Sequence, residues 1–181
     1  LLKGKRIELR PVTKSDLVNQ YKWRNDEEFA YLASGSNFYL YNNTPLETLE
    51  AFYEKNLTSV NEQDGCVFSV YTLEDCKHIG KCDYRDVNMV TRTATIGLSI
   101  GEKDYWNKGY GTDILKVLIR HLFYNLNLRR IQLDTWSGNE RAIRAYQKCG
   151  FRIEGRLKEN EYVDGHYYDT VIMGLLRSEY S

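Results

Sequence analysis

The chain has 181 residues, enough for one domain with a sizeable core, and its 25 Lys plus Arg balance 25 Asp plus Glu. That neutrality argues against a nucleic acid or a membrane surface as the partner, and no apolar run reaches the roughly 18 residues that a membrane span needs. Cys66, Cys76, Cys82 and Cys149 form no C-x-x-C pair and His78, His121 and His166 lie apart, so reduced cytoplasmic thiols and no metal site are expected.

In chain order, Arg6 to Arg10 alternates as a first strand, stopped by Pro11. Thr13-Lys-Ser-Asp16 has the form of a helix cap leading into a helix from Leu17 to Asp26. Residues 31–43 lack periodicity and read as a loop. Thr44-Pro45-Leu46-Glu47 is a capping box with proline at the first helical position, which predicts a second helix to about Val60. Cys66 to Leu73 and His78 to Val87 read as strands around a turn, and a turn near Asn88 to Arg92 leads into a third, Ala94 to Gly101, as an antiparallel meander. Arg130 to Trp136 alternates as another strand. Phe151 to Val163 and His166 to Leu176 flank Asp164-Gly165, a strong hairpin turn. No repeat or linker breaks the sequence, so a single α/β domain over residues 1–181 is expected, with a mixed, mostly antiparallel sheet flanked by helices. The chain begins at Leu1 and not at methionine, as expected if the native start was processed or trimmed.

Two stretches carry chemistry. After the strand from Ala94 comes Trp106-Asn107-Lys108-Gly109-Tyr110-Gly111-Thr112, followed by Ile114, Leu115, Leu118, Ile119, Leu122, Phe123 and Leu126, the spacing of one buried helix face. Glycines at the mouth of a helix let a ligand approach its unpaired N–H groups, which attract phosphate or pyrophosphate. A P-loop would need Lys-Ser or Lys-Thr after the last glycine, where Thr112-Asp113 stands. A dinucleotide fold would need glycine at Ile114. A lone Gly-x-Gly also serves as a plain helix-start turn. In the second stretch, Asn139 can cap a helix that Gly150 ends, and Asn139, Ala142, Ala145, Tyr146 and Cys149 share one stripe. Its two alanines leave a groove for a slender ligand between Asn139 and Tyr146, about 10 Å apart along the axis.

Together these stretches resemble motifs A and B of the GNAT superfamily of acetyl-CoA-dependent N-acetyltransferases. The family's Gln/Arg-x-x-Gly-x-Gly/Ala corresponds to Trp106 through Gly111, with Trp106 departing from the pattern. Its Asn-x-x-Ala-x-x-x-Tyr-x-x-x-Gly-Phe matches Asn139, Ala142, Tyr146, Gly150 and Phe151 without a gap. Leu9-Arg10-Pro11, Asp16 and Trp23-Arg24-Asn25-Asp26 look like the start of the branch that holds ribosomal-protein N-terminal and spermidine acetyltransferases.

The resemblance implies acetyl transfer from acetyl-CoA, by direct attack, to a primary amine: a protein or peptide N-terminus, a polyamine or another small amine. It implies that Leu98, Ser99 and Ile100 offer backbone N–H groups to the acetyl carbonyl. Asn107, Lys108, Gly109, Tyr110, Gly111 and Thr112 would surround the pyrophosphate and Asn139 would hold the pantetheine amide. Tyr146 would meet the thiol, and a phenol with an ordinary pKa of about 10 can act there as a general acid. Tyr146 as a packed ring and Asn139 as a cap alone are the plainer roles. Relatives often carry Glu at the position of Thr95, which cannot act as a base, so Asp83, Asp86, Glu102, Asp134 or a water chain are the candidates. Trp23, Tyr31, Tyr39, Tyr41 and Tyr84 could line an aromatic pocket for a cation. The alternative is a non-catalytic acetyl-CoA-binding module. A homodimer is compatible with either.

Overall fold

The computed structural model describes residues 1–58, 61 and 64–181. Among these, eight strands form one sheet in the order β1-β2-β3-β4-β5-β6-β8-β7. The strands are β1 (Leu2–Lys3), β2 (Ile7–Pro11), β3 (Cys66–Thr72), β4 (His78–Asn88), β5 (Thr93–Ile100), β6 (Arg130–Trp136), β7 (Arg152–Val163) and β8 (His166–Leu176). Only β5 and β6 run parallel, so the mostly antiparallel sheet expected from the sequence is what forms.

One face of the sheet carries α5 (Tyr110–Arg120) and α6 (Glu140–Lys148). The apolar stripe of α5 has its predicted effect: Ile114, Leu115, Leu118 and Ile119 are fully buried against Cys82, Tyr84, Ala94 and Ile96 in one core cluster. The helix continues as a single wide turn, His121–Asn125, which carries Leu122 and Phe123 into the same core. The other face carries α1 (Leu17–Arg24) and α4 (Leu46–Asn56), packed through a smaller cluster of Val12, Leu17 and Leu49 with Val67. The predicted end of α4 near Val60 lies outside the described residues.

The stretch 31–43, which lacks apolar periodicity, is not a loop. It holds the second half of α2 (Glu27–Ser34), a short 3-10 turn at Gly35–Asn37 and α3 (Phe38–Asn42). These helices are too short to show a period, and α2 starts from an Asp26 cap whose carboxylate accepts the Phe29 N–H. The preceding helix, expected to reach Asp26, ends at Arg24.

A buried acid fastens α1 to the sheet. Asp16, 2% exposed, accepts hydrogen bonds from the Thr13 N–H (2.9 Å), the Ser69 hydroxyl (2.7 Å) and the Tyr71 hydroxyl, and lies 3.7 Å from His78 Nδ1. Burial alone would raise its pKa, but the hydrogen bonds from Tyr71, Thr13 and Ser69 outweigh it and hold the carboxyl below its ordinary value. Burial pushes His78 below its ordinary value, against the pull of Asp16. Both groups therefore bind protons less readily folded than unfolded. The sign follows: stability is complete above the unfolded His pKa of about 6.5 and falls with pH, first through His78 and then, below about 3.9, through Asp16. Asp16→Asn would turn one acceptor into a donor among donors and should cost on the order of 1–3 kcal/mol at neutral pH. Denaturant unfolding over a pH series checks this: an unchanged midpoint in the variant at pH 7 would refute the anchoring role.

Candidate functional site

The site begins where β5 and β6 separate. They pair only over Thr93–Thr95 and Arg130–Gln132. Beyond that, β5 stays with β4 as far as Ile100 opposite Gly80, while β6 stays with β8 as far as Trp136 opposite Thr170. The edge of β5 from Ile96 to Ile100 that faces β6 thus has no strand beside it. Backbone groups along such an edge can pair with an extended ligand.

The glycine turn follows directly. Trp106 pins it, its indole N–H donating to the Ile100 carbonyl at 2.7 Å. Asn107 and Gly109 both take positive φ, 57° and 85°, and Gly109 caps α5. The first intrahelical bond runs from the Asp113 N–H to the Gly109 carbonyl (3.1 Å), so the amides of Tyr110, Gly111 and Thr112 precede the ladder and point outward. A Cβ on Gly111 would meet only Ile100 Cδ1 at 3.8 Å and Leu98 Cδ2 at 3.9 Å, ordinary contacts. Within the protein Gly111 has room for a side chain, and that room is part of the groove. Arg6 secures the turn from the side, donating to the Lys108 carbonyl (2.5 Å) with its guanidinium 3.8 Å from the Tyr110 ring centroid.

Helix α6 forms the far wall. Asn139 caps it, Oδ1 accepting the Ala142 N–H, while its Nδ2 donates to the Leu32 carbonyl at 3.0 Å. The Trp136 indole N–H donates to that same carbonyl at 3.2 Å, so α2 is held over the groove as a roof. The groove is lined by Leu98, Ser99, Ile100, Asn107, Gly109, Gly111 and Thr112 from the β5–α5 side and by Asn139, Ala142, Ala145 and Tyr146 from α6. Most residues singled out in the sequence are therefore brought together here. Lys108 and Tyr110 lie in the turn but not in the lining; Tyr110 is buried beneath Arg6. Tyr146 is 6% exposed, packed edge-on to Phe151. Burial first, and then the Asp83 carboxylate, push its hydroxyl well above the ordinary tyrosine value, with Arg85 opposing. It stays protonated at any physiological pH.

Among the groove residues that escaped the sequence reading are three cations, Arg141, Arg144 and Lys148. Their spacing of three and four beside the Asn139 stripe was the available signal, since it sets a row of cations along one groove wall. Arg141 lies 3.7 Å over the Trp106 ring, so a cation reaches the place where the family pattern has Gln or Arg.

A second cavity lies on the opposite face of the sheet. Lys81, Asp83 and Arg85 project there from β4, opposite Ser99, Gly97 and Thr95 of β5. Gln20 and Arg24 of α1, Leu40 of α3, and Leu49 and Phe52 of α4 close over them. The Asp83–Arg85 ion pair (2.7 Å) lies across Gly97, where a Cβ would come within 2.7 Å of Asp83 Oδ1. Of the other carboxylates considered, Glu102 is engaged by the Trp23 indole (3.1 Å) and Lys77 (3.4 Å), and Asp86 and Asp134 are exposed. The five aromatics do not form one pocket. Trp23 packs on His78 and Tyr31 on Phe38, Tyr41 lies under Arg24, Tyr84 is buried in the core, and Tyr39 is exposed. Among the described residues no cluster of His, Cys, Asp and Glu could hold a metal.

A family model described as an acetyltransferase (GNAT) domain matches residues 6–152. An uncharacterized N-acetyltransferase p20 of Bacillus licheniformis is 30% identical over 63% of this chain and 64% of its own. The spermidine N(1)-acetyltransferase of Escherichia coli K12 is 27% identical over 96% of this chain and 88% of its own. In fold, the chain resembles a spermidine N-acetyltransferase from Vibrio cholerae solved with CoA and spermine. That likeness has a TM-score of 0.82 and 24% identity over 96% of this chain and 97% of the other. The unpaired β5 edge, the open helix mouth and the capped α6 wall have the arrangement that motifs A and B require, and the chain belongs to the GNAT family of acetyl-CoA-dependent N-acetyltransferases.

Proposed function

We propose that residues 1–181 form one acetyltransferase domain, with the donor in the groove between α5 and α6 and the primary-amine acceptor in the cavity over β4. The carrying observation is that the unpaired β5 edge separates the two spaces: Leu98 lines one, and Asp83, opposite Gly97, lines the other. Acetyl-CoA supplies a thioester whose carbonyl carbon a neutral amine attacks, with a thiolate departing. The amides of Tyr110, Gly111 and Thr112, with Asn107, Lys108 and Gly109 shaping the turn, hold the pyrophosphate. Arg141, Arg144 and Lys148 add charge along the same wall. Asn139 keeps one Nδ2 hydrogen and one Oδ1 lone pair beyond its cap and its bond to Leu32, enough for an amide of the pantetheine arm. Leu98, Ser99 and Ile100 present backbone donors to the acetyl oxygen, and Tyr146, kept protonated by burial and by Asp83, protonates the sulfur.

The general base is Asp83. Thr95 has no basic group, but Asp83 sits on the neighbouring strand with its carboxylate across Gly97, on the same sheet face as Thr95. The missing carboxylate of β5 is thereby supplied from β4. A non-catalytic binding module is not favoured, because Tyr146 and Asp83 both meet this gap. Relatives named for spermidine acetylation put polyamines among the amines to assay, beside protein N-termini and other small amines. A cytoplasmic setting is supported by four free cysteines. A homodimer would cover the β7–β8 hairpin, where Leu157, Tyr162 and Tyr167 are about half exposed or more.

Gly111→Val should raise the acetyl-CoA dissociation constant by about tenfold or more, close to 1.4 kcal/mol, with little change in melting temperature. Its side chain fits the protein and obstructs the groove. Calorimetry showing wild-type affinity would remove the phosphate assignment. Tyr146→Phe should leave acetyl-CoA affinity within about 1 kcal/mol and cut turnover roughly 10²–10⁴-fold. Wild-type turnover on a verified acceptor would reduce Tyr146 to a packed ring. Asp83→Asn should lower kcat/KM on the same acceptor by a similar order while leaving acetyl-CoA affinity unchanged; a wild-type kcat/KM would assign the base elsewhere.

A further inference from the structure

The acceptor cavity carries the wrong sign for a polyamine. Besides Asp83 and Asp64, its described lining includes Arg24, Lys81 and Arg85. Arg85 is paired with Asp83, but Arg24 and Lys81 form no ion pair among the described residues. Arg24 is held rather than left loose. Its guanidinium stacks 3.9 Å from the Tyr41 ring centroid, and its Nη2 donates to Thr44 Oγ1 at 2.9 Å. The Asn42 amide donates to the Arg24 carbonyl at 3.0 Å, closing α3 onto the end of α1. Its Nε is buried with no hydrogen-bond partner.

A buried N–H left unmade on a rigid guanidinium is a cost that a folded protein carries when something else completes it. Lys81 makes the same point from the strand. Burial holds its ammonium below the ordinary lysine value, Asp83 opposes this, and the nearby positive charges of Arg24 and Arg85 add to it. The three cations thus share one space and repel one another in it. A further cation would add to that repulsion, while an anion would relieve it and satisfy the Arg24 fork, whose planar donors suit carboxylate and phosphate oxygens. The cavity, about 920 Å³, is of small-molecule size.

We propose that the acceptor is a small amine that also bears an anionic group, carboxylate or phosphate, held by Arg24 and Lys81 while the amine faces Asp83. This rests on the reading of the β4 cavity as the acceptor site. No new bond is involved: Arg24 and Lys81 are specificity-determining residues that fix the acceptor's far end. The relatives' polyamine chemistry would then not extend to this chain, because the described lining of its cavity carries three cations against two carboxylates.

The test titrates the CoA-saturated protein with four probes: O-phosphoethanolamine, β-alanine, ethanolamine and spermidine. At least one anionic probe should bind tenfold or more tightly than ethanolamine and spermidine, and the tighter of the two tells phosphate from carboxylate. Arg24→Gln with Lys81→Gln should bring that probe to the ethanolamine level without altering CoA affinity. Lys81→Met alone, which leaves the Tyr41 stack intact, should lower the preference at least threefold if the double variant does not fold, and Arg24→Lys should recover part of it. Spermidine or ethanolamine binding as tightly as both anionic probes would overturn the proposal, and so would a folded variant that keeps the preference. Intact anion preference with no thiol release from acetyl-CoA on any acceptor would count against the transfer reading instead.

Discussion

The arrangement depends on a pairing that stops early. β5 and β6 share three residues of parallel ladder and then part, each kept straight by its other neighbour. The unpaired edge costs the protein backbone hydrogen bonds that a continuous sheet would have made, and this cost recurs at each molecule until a ligand strand supplies them. Everything else in the site is placed by that gap. α5 begins beside one side of it, α6 drops Tyr146 into it, and β4 brings Asp83 to it from the opposite face. A sheet closed through residue 100 would have the same core and no room for chemistry.

The second dependency runs through Asp16. Its three hydrogen bonds hold the start of α1 against β3, and α1 in turn brings Trp23 to Glu102 and Arg24 to the cavity. A buried carboxylate costs desolvation, and this one is stabilised only because its donors are complete. The stability of the fold and the shape of the cavity over β4 are thus linked through one acid, far along the chain from the glycine turn.

The features legible in sequence were those written with a period or a spacing. The α5 stripe from Ile114 to Phe123, the Asn139-to-Phe151 run and the Asp164-Gly165 hairpin all appear where their patterns put them, and motif order led to the family. What could not be read depends on distant strands meeting. α2 is held by bonds from Trp136 and Asn139, more than a hundred residues away, and α3 by the Asn42 amide on the Arg24 carbonyl, so their own sequence shows a loop. Asp83 is one of four candidate carboxylates in the sequence and stands apart only once β4 and β5 are in register across Gly97. Arg141 compensates for Trp106 by lying on its ring, a pairing that neither motif displays alone.

The two spaces open on opposite faces of one sheet, and this governs the order of events. In the arrangement we propose, the donor lies between α5 and α6 and the acceptor beneath α1, α3 and α4, so neither occupant blocks the other's path. Cys82 and Cys149 are buried, and that burial pushes both thiols above the ordinary cysteine value, which makes them poor carriers of the acetyl group. Direct attack across that arrangement requires both substrates to be held at once, and it corresponds to initial-rate plots of the intersecting form of a ternary complex.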